Sequence, residues 1–259
     1  MKAFGRRARV RPGMEVAGLS DVGCVRENNE DRYAYWEPAS EQQFEEKGRL
    51  ALVADGMGGH EGGQEASRIA VETVQEVYRE SANGDPRSLL LAAFQAAHQR
   101  ILAYAETHPG LEGMGTTCTT VVIRGGRLYY AHVGDSRLYL IRDGKVYRLS
   151  RDHTYVGRLL EQGIINSEEA ATHPQRNILL MALGAGPEIT PQSPEQAIVL
   201  ESRDVLLLCS DGLWGQVSDA EIQEAVSASS LKQTCQQLVQ KAKDHGGPDN
   251  ITVQALRVL

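Results

Sequence analysis

Residues 116–149 read TTCTTVVIR-GG-RLYYAHVGD-SRLYLIR-DG-KVYRL, four strand-like runs cut by turn residues. β-branched side chains crowd Thr116 to Arg124, where they suit the pleated surface of a strand. Gly125-Gly126 supplies the positive backbone angles of a tight turn into Arg127 to Val133. The next run, Ser136 to Arg142, passes through Asp143-Gly144, a strong hairpin signal, into Lys145 to Leu149. The spacing predicts a consecutive antiparallel meander of four strands.

On the N-terminal side, Leu50 to Ala54 is a short apolar run that stops at Asp55-Gly56, as a buried strand ending in a turn does. A further strand is expected at Arg32 to Trp36. Between Gly63 and Ser81, Ala66, Ile69, Ala70, Val74, Val77 and Tyr78 recur at helical spacing. Asp85-Pro86 then opens a second helix, with Asp as the cap and Pro at the first position. Leu89, Leu90, Phe94, Ala97 and Ile101 line it, and it must end before Pro109. On the C-terminal side, residues 152–195 hold short helices near Val156 to Gln162 and from Ser167, among four prolines, and read as a mobile surface insertion. Strands follow at Ala197 to Leu200 and Val205 to Cys209. Ser218-x-x-Glu221 forms a capping box, Ser230 caps a second helix, and Ile251 to Val258 is a last strand. Strands and helices come in blocks rather than in alternation, so the fold class is α+β: antiparallel sheet with helices outside.

At 259 residues the chain is long enough to bury a full core without staples, and no apolar run approaches the roughly 18 residues of a membrane span. Net charge is −7, but five of the 27 basic residues fall within residues 1–14, which carry no acid. The rest holds 22 basic against 34 acidic side chains, a balance of −12. An acidic body argues against a nucleic-acid binder and suits a protein that collects cations. Residues 1–14 read as a basic, flexible arm ahead of one domain at 15–259. No apolar stretch follows the arm, so it does not read as a secretory signal. Cys24, Cys118, Cys209 and Cys235 are widely spaced, as expected of reduced cysteines in the cytoplasm.

Several strand runs end in an acid followed by a small residue: Asp55-Gly56, Asp135-Ser136 and Asp211-Gly212. Asp249 stands just before the last strand, and Glu30-Asp31 just before Arg32 to Trp36. Strand ends of one sheet lie near one another, so these acids could meet at one rim. Clustered carboxylates raise each other's pKa unless a cation compensates, and all-oxygen ligands favour Mg²⁺ or Mn²⁺. The plainer reading of any single Asp-Gly is a turn. Metal ions bridged by carboxylates suggest activated water attacking a phosphate or ester. Arg26, four residues before Glu30, could grip phosphate oxygens or merely pair with a nearby acid.

Six motifs now stand in order: Arg26-x-x-x-Glu30-Asp31, Val53-Ala54-Asp55-Gly56-Met57-Gly58-Gly59, Gly115-Thr116-Thr117, Gly134-Asp135-Ser136-Arg137, Ser210-Asp211-Gly212 and Gly247-Pro248-Asp249-Asn250-Ile251-Thr252. In this order they resemble the metal-dependent Ser/Thr protein phosphatases (PPM, or type 2C), most closely the bacterial single-domain members, over about residues 15 to 258. The resemblance implies two packed antiparallel β-sheets flanked by helices, a four-layer α/β/β/α sandwich. It implies two Mg²⁺ or Mn²⁺ ions bridged by Asp55. The Gly56 carbonyl and Glu30 would serve one ion, Asp211 and Asp249 the other, with Asp31 acting through water. A third, weaker ion would fall to Asp135 and Asp211, and Arg26 would hold the substrate phosphate. The implied activity is hydrolysis of phosphoserine and phosphothreonine by a metal-activated bridging water. The implied partners are phosphorylated proteins and a cognate Ser/Thr kinase, acted on by a cytoplasmic monomer with no nucleic acid or membrane span. Residues 152–195 match the family's variable flap, with Met181 where an arginine is common. His60 is a candidate general acid for the leaving oxygen, or else a loop residue.

Other chemistries fit less well. Cys118 and Arg124 satisfy the C-x5-R spacing of cysteine phosphatases, but the residues between them make a β-branched strand rather than a phosphate loop. Gly56 to Glu61 fails the last glycine of a dinucleotide turn, and His60-Glu61-x-x-Gln64 lacks the second histidine of a zinc protease. A catalytically silent phosphoprotein-binding relative is the alternative of another class. It should have lost metal ligands, whereas Asp55, Asp211 and Asp249 are intact.

Overall fold

The expected four-stranded meander divides between two sheets. A computed structural model describes residue 11 and residues 13–58, 61–82, 84–228 and 230–259. In chain order its first half holds β1 (Met14–Asp21), β2 (Arg32–Trp36), α1 (Glu41–Lys47), β3 (Arg49–Ala54), β4 (Gly56–Met57), α2 (Gly62–Glu80) and α3 (Pro86–Thr107). Next come β5 (Gly115–Thr116), β6 (Cys118–Arg124), β7 (Arg127–Val133), β8 (Arg137–Arg142), β9 (Lys145–Arg148), α4 (Tyr155–Glu161) and α5 (Ser167–Thr172). The chain closes with β10 (Ile198–Val199), β11 (Val205–Cys209), α6 (Asp211–Trp214), α7 (Asp219–Ala228), α8 (Leu231–Asp244) and β12 (Ile251–Val258). One sheet runs β10-β7-β6-β3-β2 and the other β1-β12-β11-β8-β9. The hairpins β6–β7 and β8–β9 form as read, but β7 and β8 lie in different sheets, and the chain crosses between them at Gly134-Asp135-Ser136. Gly134 has φ +105°, and a Cβ there would lie 2.5 Å from Thr117, so only glycine makes this crossing without strain. The local turn signal is that of a hairpin, and it does not reveal a change of sheet.

Uninterrupted apolar strands follow from burial on both faces. Along β3, Leu50, Leu52 and Ala54 pack against α2 and α3, while Ala51 and Val53 face the second sheet. Along β11, Val205, Leu207 and Cys209 face α7 and α8, while Leu206 and Leu208 fill the space between the sheets. Three apolar layers therefore separate four structural layers, the α/β/β/α sandwich.

The helices begin where their caps place them. Asp85 accepts from Ser88 N at 2.9 Å ahead of Pro86, and Ser230 and Gln233 complete a capping box at α8. Ser218 and Glu221 exchange hydrogen bonds at the start of α7, and those to Ser218 hold the Glu221 carboxyl down to about 2.

Some boundaries differ from the sequence reading. Met14 is buried and opens β1, and Arg11 bonds to Glu37, Pro38, Ala39 and Glu41, so the body of the domain reaches into the stretch read as a free arm. Residues 1–10 lie outside the described residues. The sequence does not single out β1, because Gly18 and Ser20 weaken its alternation; its pairing with β12 over eight residue pairs makes it a strand. Residues 152–195 are closed on themselves by the bridge Thr154↔Leu179 and tied to the body at Thr116↔Leu183 and His132↔Gln192. Met181 points inward onto the α2–α3 layer.

Candidate active site

Strand register brings the acids together. Arg32 at the start of β2 pairs with Ala54 at the end of β3, and Arg137 at the start of β8 with Cys209 at the end of β11. Cys209 also pairs with Val253 near the start of β12. Asp31, Asp55, Asp135, Asp211 and Asp249 each lie one to four residues beyond these paired positions, so both sheets deliver them to the same rim.

Asp55 is anchored through its backbone. Its N–H donates to Thr117 Oγ1 at 2.9 Å, and its carbonyl accepts from Thr117 N and Thr116 Oγ1, each at 2.8 Å. Thr117 Oγ1 also meets Ser136 Oγ at 2.7 Å, which links the Asp55 turn to the Asp135 crossing. Burial pushes the Asp55 carboxyl well up, and the charges of Asp31, Asp211, Asp135 and Asp249 add to this. Asp135 is raised by burial and then by Asp211. Burial and then the charge of Asp249 carry Asp211 to about 6, and burial carries Asp31 to about 7 against the lowering effect of its hydroxyl partners. Asp31 is 2 % exposed; its Oδ2 accepts from Ser210 Oγ at 2.7 Å, and its Oδ1 has no hydrogen-bond partner.

Asn250 stitches the 22–30 loop to this rim. Its amide donates to Val22 O and Asn28 O at 3.0 and 2.9 Å, and its Oδ1 accepts from Glu30 N at 2.8 Å. Glu30 in turn packs on the first turn of α2, where a Cβ on Gly63 would lie 2.2 Å from Glu30 Oε2. Burial raises the Glu30 carboxyl, the positive charge of Arg26 opposes it, and the negative charge of Asp249 adds to it. Gly56 lies under the same turn, against Gly63 O and Glu30 O. Arg26 stands at the mouth, about half exposed, with Nη2 donating to Asp249 Oδ2 at 2.7 Å. This pairing raises its already high pKa further. His60 lies outside the described residues.

An all-oxygen set of buried and half-buried acids, one with an unpartnered oxygen, fits a hard divalent cation. Among the described residues no three acidic, His or Cys side chains close up to ligand spacing, and like charges in a dry pocket repel. Cys118, by contrast, is fully buried in β6 with its thiol pushed up to about 12, which rules out thiolate chemistry at the C-x5-R pair. The sequence reading assigned no role to Ser210, Asn250, Thr117 or Ser136. All four lie inside quoted motifs, but a hydroxyl or amide carries no local sign of the acid it will hold.

The two sheets thus carry an acidic rim whose oxygen donors are of the kind a hard divalent cation takes. A family model described as protein phosphatase 2C matches residues 26–252, and the chain belongs to that family. It is 41 % identical over 249 residues to the serine/threonine protein phosphatase PstP of Mycobacterium tuberculosis, covering 95 % of this chain and 45 % of that protein, so it spans about half the length of that relative. It is 36 % identical over 245 residues to the serine/threonine phosphatase stp of Listeria innocua, covering 93 % and 94 %. The PstP catalytic domain solved in complex with two manganese ions superposes with a TM-score of 0.81 at 38 % identity, covering 95 % of this chain and 98 % of that one. Among the described residues no helix is long and apolar enough to cross a membrane.

Proposed function

We propose that this chain is a protein serine/threonine phosphatase that uses two Mg²⁺ or Mn²⁺ ions to hydrolyse phosphoserine and phosphothreonine. The observation that carries this reading is the convergence of Asp31, Asp55, Asp135, Asp211 and Asp249 on one rim, where Asp31 and Asp135 are buried and Asp249 stays about a third exposed. Asp55 would hold both ions, with Gly56 O and Glu30 on one and Asp211 and Asp249 on the other; Asp135 and Asp211 would take a weaker third. Bound divalent ions would lower the pKa of a coordinated water and offset the charge of the phosphate. Arg26 binds the phosphate at the mouth, and its fork is already oriented by Asp249. Asp31, whose Oδ2 is kept in place by Ser210 Oγ, would act on the second site through a bound water. Asn250 keeps Glu30 and Asp249 in register. His60 remains the candidate acid for the departing serine or threonine oxygen.

This reading calls for phosphorylated proteins as substrates and a serine/threonine kinase that supplies them. One chain carries the whole rim, so a monomer suffices. The cysteines Cys24, Cys118, Cys209 and Cys235 are all unpaired, which suits the reducing cytoplasm. Nothing about the rim favours a silent binding module. Purified protein with Mn²⁺ should release nitrophenol from p-nitrophenyl phosphate and phosphate from a phosphothreonine peptide, and EDTA should stop both. Absence of turnover with Mn²⁺, Mg²⁺ and Co²⁺ alike would refute the reading.

A further inference from the structure

Two of the rim's acids are tied to one another by a side chain that is not an acid. α6 is a single turn, with Asp211 as its first residue and Trp214 as its last. The Trp214 indole Nε1–H donates to the Asp135 main-chain oxygen at 2.9 Å. Arg137, two residues past Asp135, lies over the Trp214 ring with its guanidinium 3.6 Å from the ring centre. The same guanidinium forks onto Asp152, with Nε to Oδ1 at 3.1 Å and Nη2 to Oδ2 at 2.7 Å, and Nη1 reaches the Tyr139 hydroxyl at 3.2 Å. This ion pair is nearly dry, at 16 % and 12 % side-chain exposure. On the other side of Asp135, Gly134 N donates to His153 Nδ1 at 3.2 Å and Gly134 O accepts from His153 N at 2.7 Å. Asp135 is therefore held from α6 and from the root of the 152–195 segment at once.

We propose that Trp214 and Arg137 are positioning residues that set the separation of Asp135 from Asp211, and with it the affinity for the weakest divalent ion. The inference rests on the reading of those two acids as ligands. Asp135 and Asp211 repel one another, and only a rigid outer partner keeps their carboxylates near enough to share a cation. Trp214 supplies this directly, because it leaves the same helical turn as Asp211 and bonds the backbone of Asp135. Arg137 locks the indole plane by stacking on it, and Asp152 locks the guanidinium. The arrangement also links ion binding to the flap, since Asp152 is its first residue.

The test is a Mn²⁺ titration followed by calorimetry and by electron paramagnetic resonance of the unbound ion, on wild type, Trp214→Phe and Arg137→Lys. Phenylalanine keeps a ring for Arg137 but loses the N–H; lysine keeps a charge beside Asp152 but loses fork and stack. In each variant the weakest Mn²⁺ should bind about tenfold less tightly, with the tighter pair little changed. Unchanged affinity of the weakest ion in a folded Trp214→Phe would overturn the proposal, as would equal weakening of every ion. Should Trp214→Phe not fold, Arg137→Lys decides by the same criterion. Uptake of only two ions by wild type would also overturn it and leave the phosphatase reading standing. Uptake of none, with no turnover, would sink that reading itself.

Discussion

Replacing Asp31 by asparagine should stabilise the metal-free protein while impairing its activity. The Asp31 carboxyl is fully buried and titrates near 7 in the fold against 3.8 in an open chain. A folded-state pKa raised in this way favours the fold at low pH, and that contribution is lost as pH climbs from about 4 through 7. At 1.36 kcal/mol per pKa unit the full loss is about 4 kcal/mol, and proton sharing with Asp55 and Asp211 brings it to roughly 2–4 kcal/mol. Asparagine keeps an oxygen for Ser210 Oγ and turns an N–H₂ toward the neighbouring acids, so it removes the charge at little cost in shape. For a chain of this size the gain corresponds to about 5–15 °C in Tm. Thermal melts in EDTA at pH 5, 6, 7 and 8 would read it. The gap between variant and wild type should be small at pH 5 and widest at pH 8, and excess Mn²⁺ should narrow it by neutralising the wild-type cluster. A variant no more stable than wild type at pH 8, or a gap that ignores pH, would refute the electrostatic account of the rim.

Asp211→Asn and Asp249→Asn should each lower Mn²⁺ affinity and p-nitrophenyl phosphate turnover by orders of magnitude, measured by calorimetry and initial rates; near-normal values in both would contradict their assignment as ligands. Leu206→Ala opens a cavity between the sheets at a fully buried site and should cost about 2–5 kcal/mol in urea unfolding, with little effect on ion binding. Of the four cysteines only Cys24 is exposed, so a thiol reagent should modify one group in the native protein and four in denaturant. Rapid modification of a second thiol under native conditions would show that the buried layers open more readily than their packing implies.

Local patterns were the most legible part of the chain. The caps at Asp85, Ser218 and Ser230 act within three residues, and each helix starts where they predict. The unbroken apolar runs at residues 50–54 and 205–209 announce strands buried on both faces, and the structure buries all ten of those residues. The candidate acids were legible for a related reason. Each stands at or near one end of a strand, and a strand end is a place where a carboxylate can border a dry core and still face solvent.

Partners far apart in the chain were not legible. Arg26 reads equally as a phosphate ligand or an ion-pair partner, and its bond to Asp249, 223 residues away, is a fact of the fold. Trp214 looks like an ordinary core aromatic until its N–H is found on the Asp135 carbonyl, 79 residues back. The sequence by itself determined which side chains could bind hard cations and where most of the longer strands and helices would form, though not β1 or α1, because propensity, capping and periodicity act over a few residues. The tertiary structure decided that β7 and β8 belong to opposite sheets, that both sheets deliver their acids to one rim, and which neutral side chains hold those acids in place. Those outcomes depend on which apolar faces bury one another, a choice made by the whole core at once.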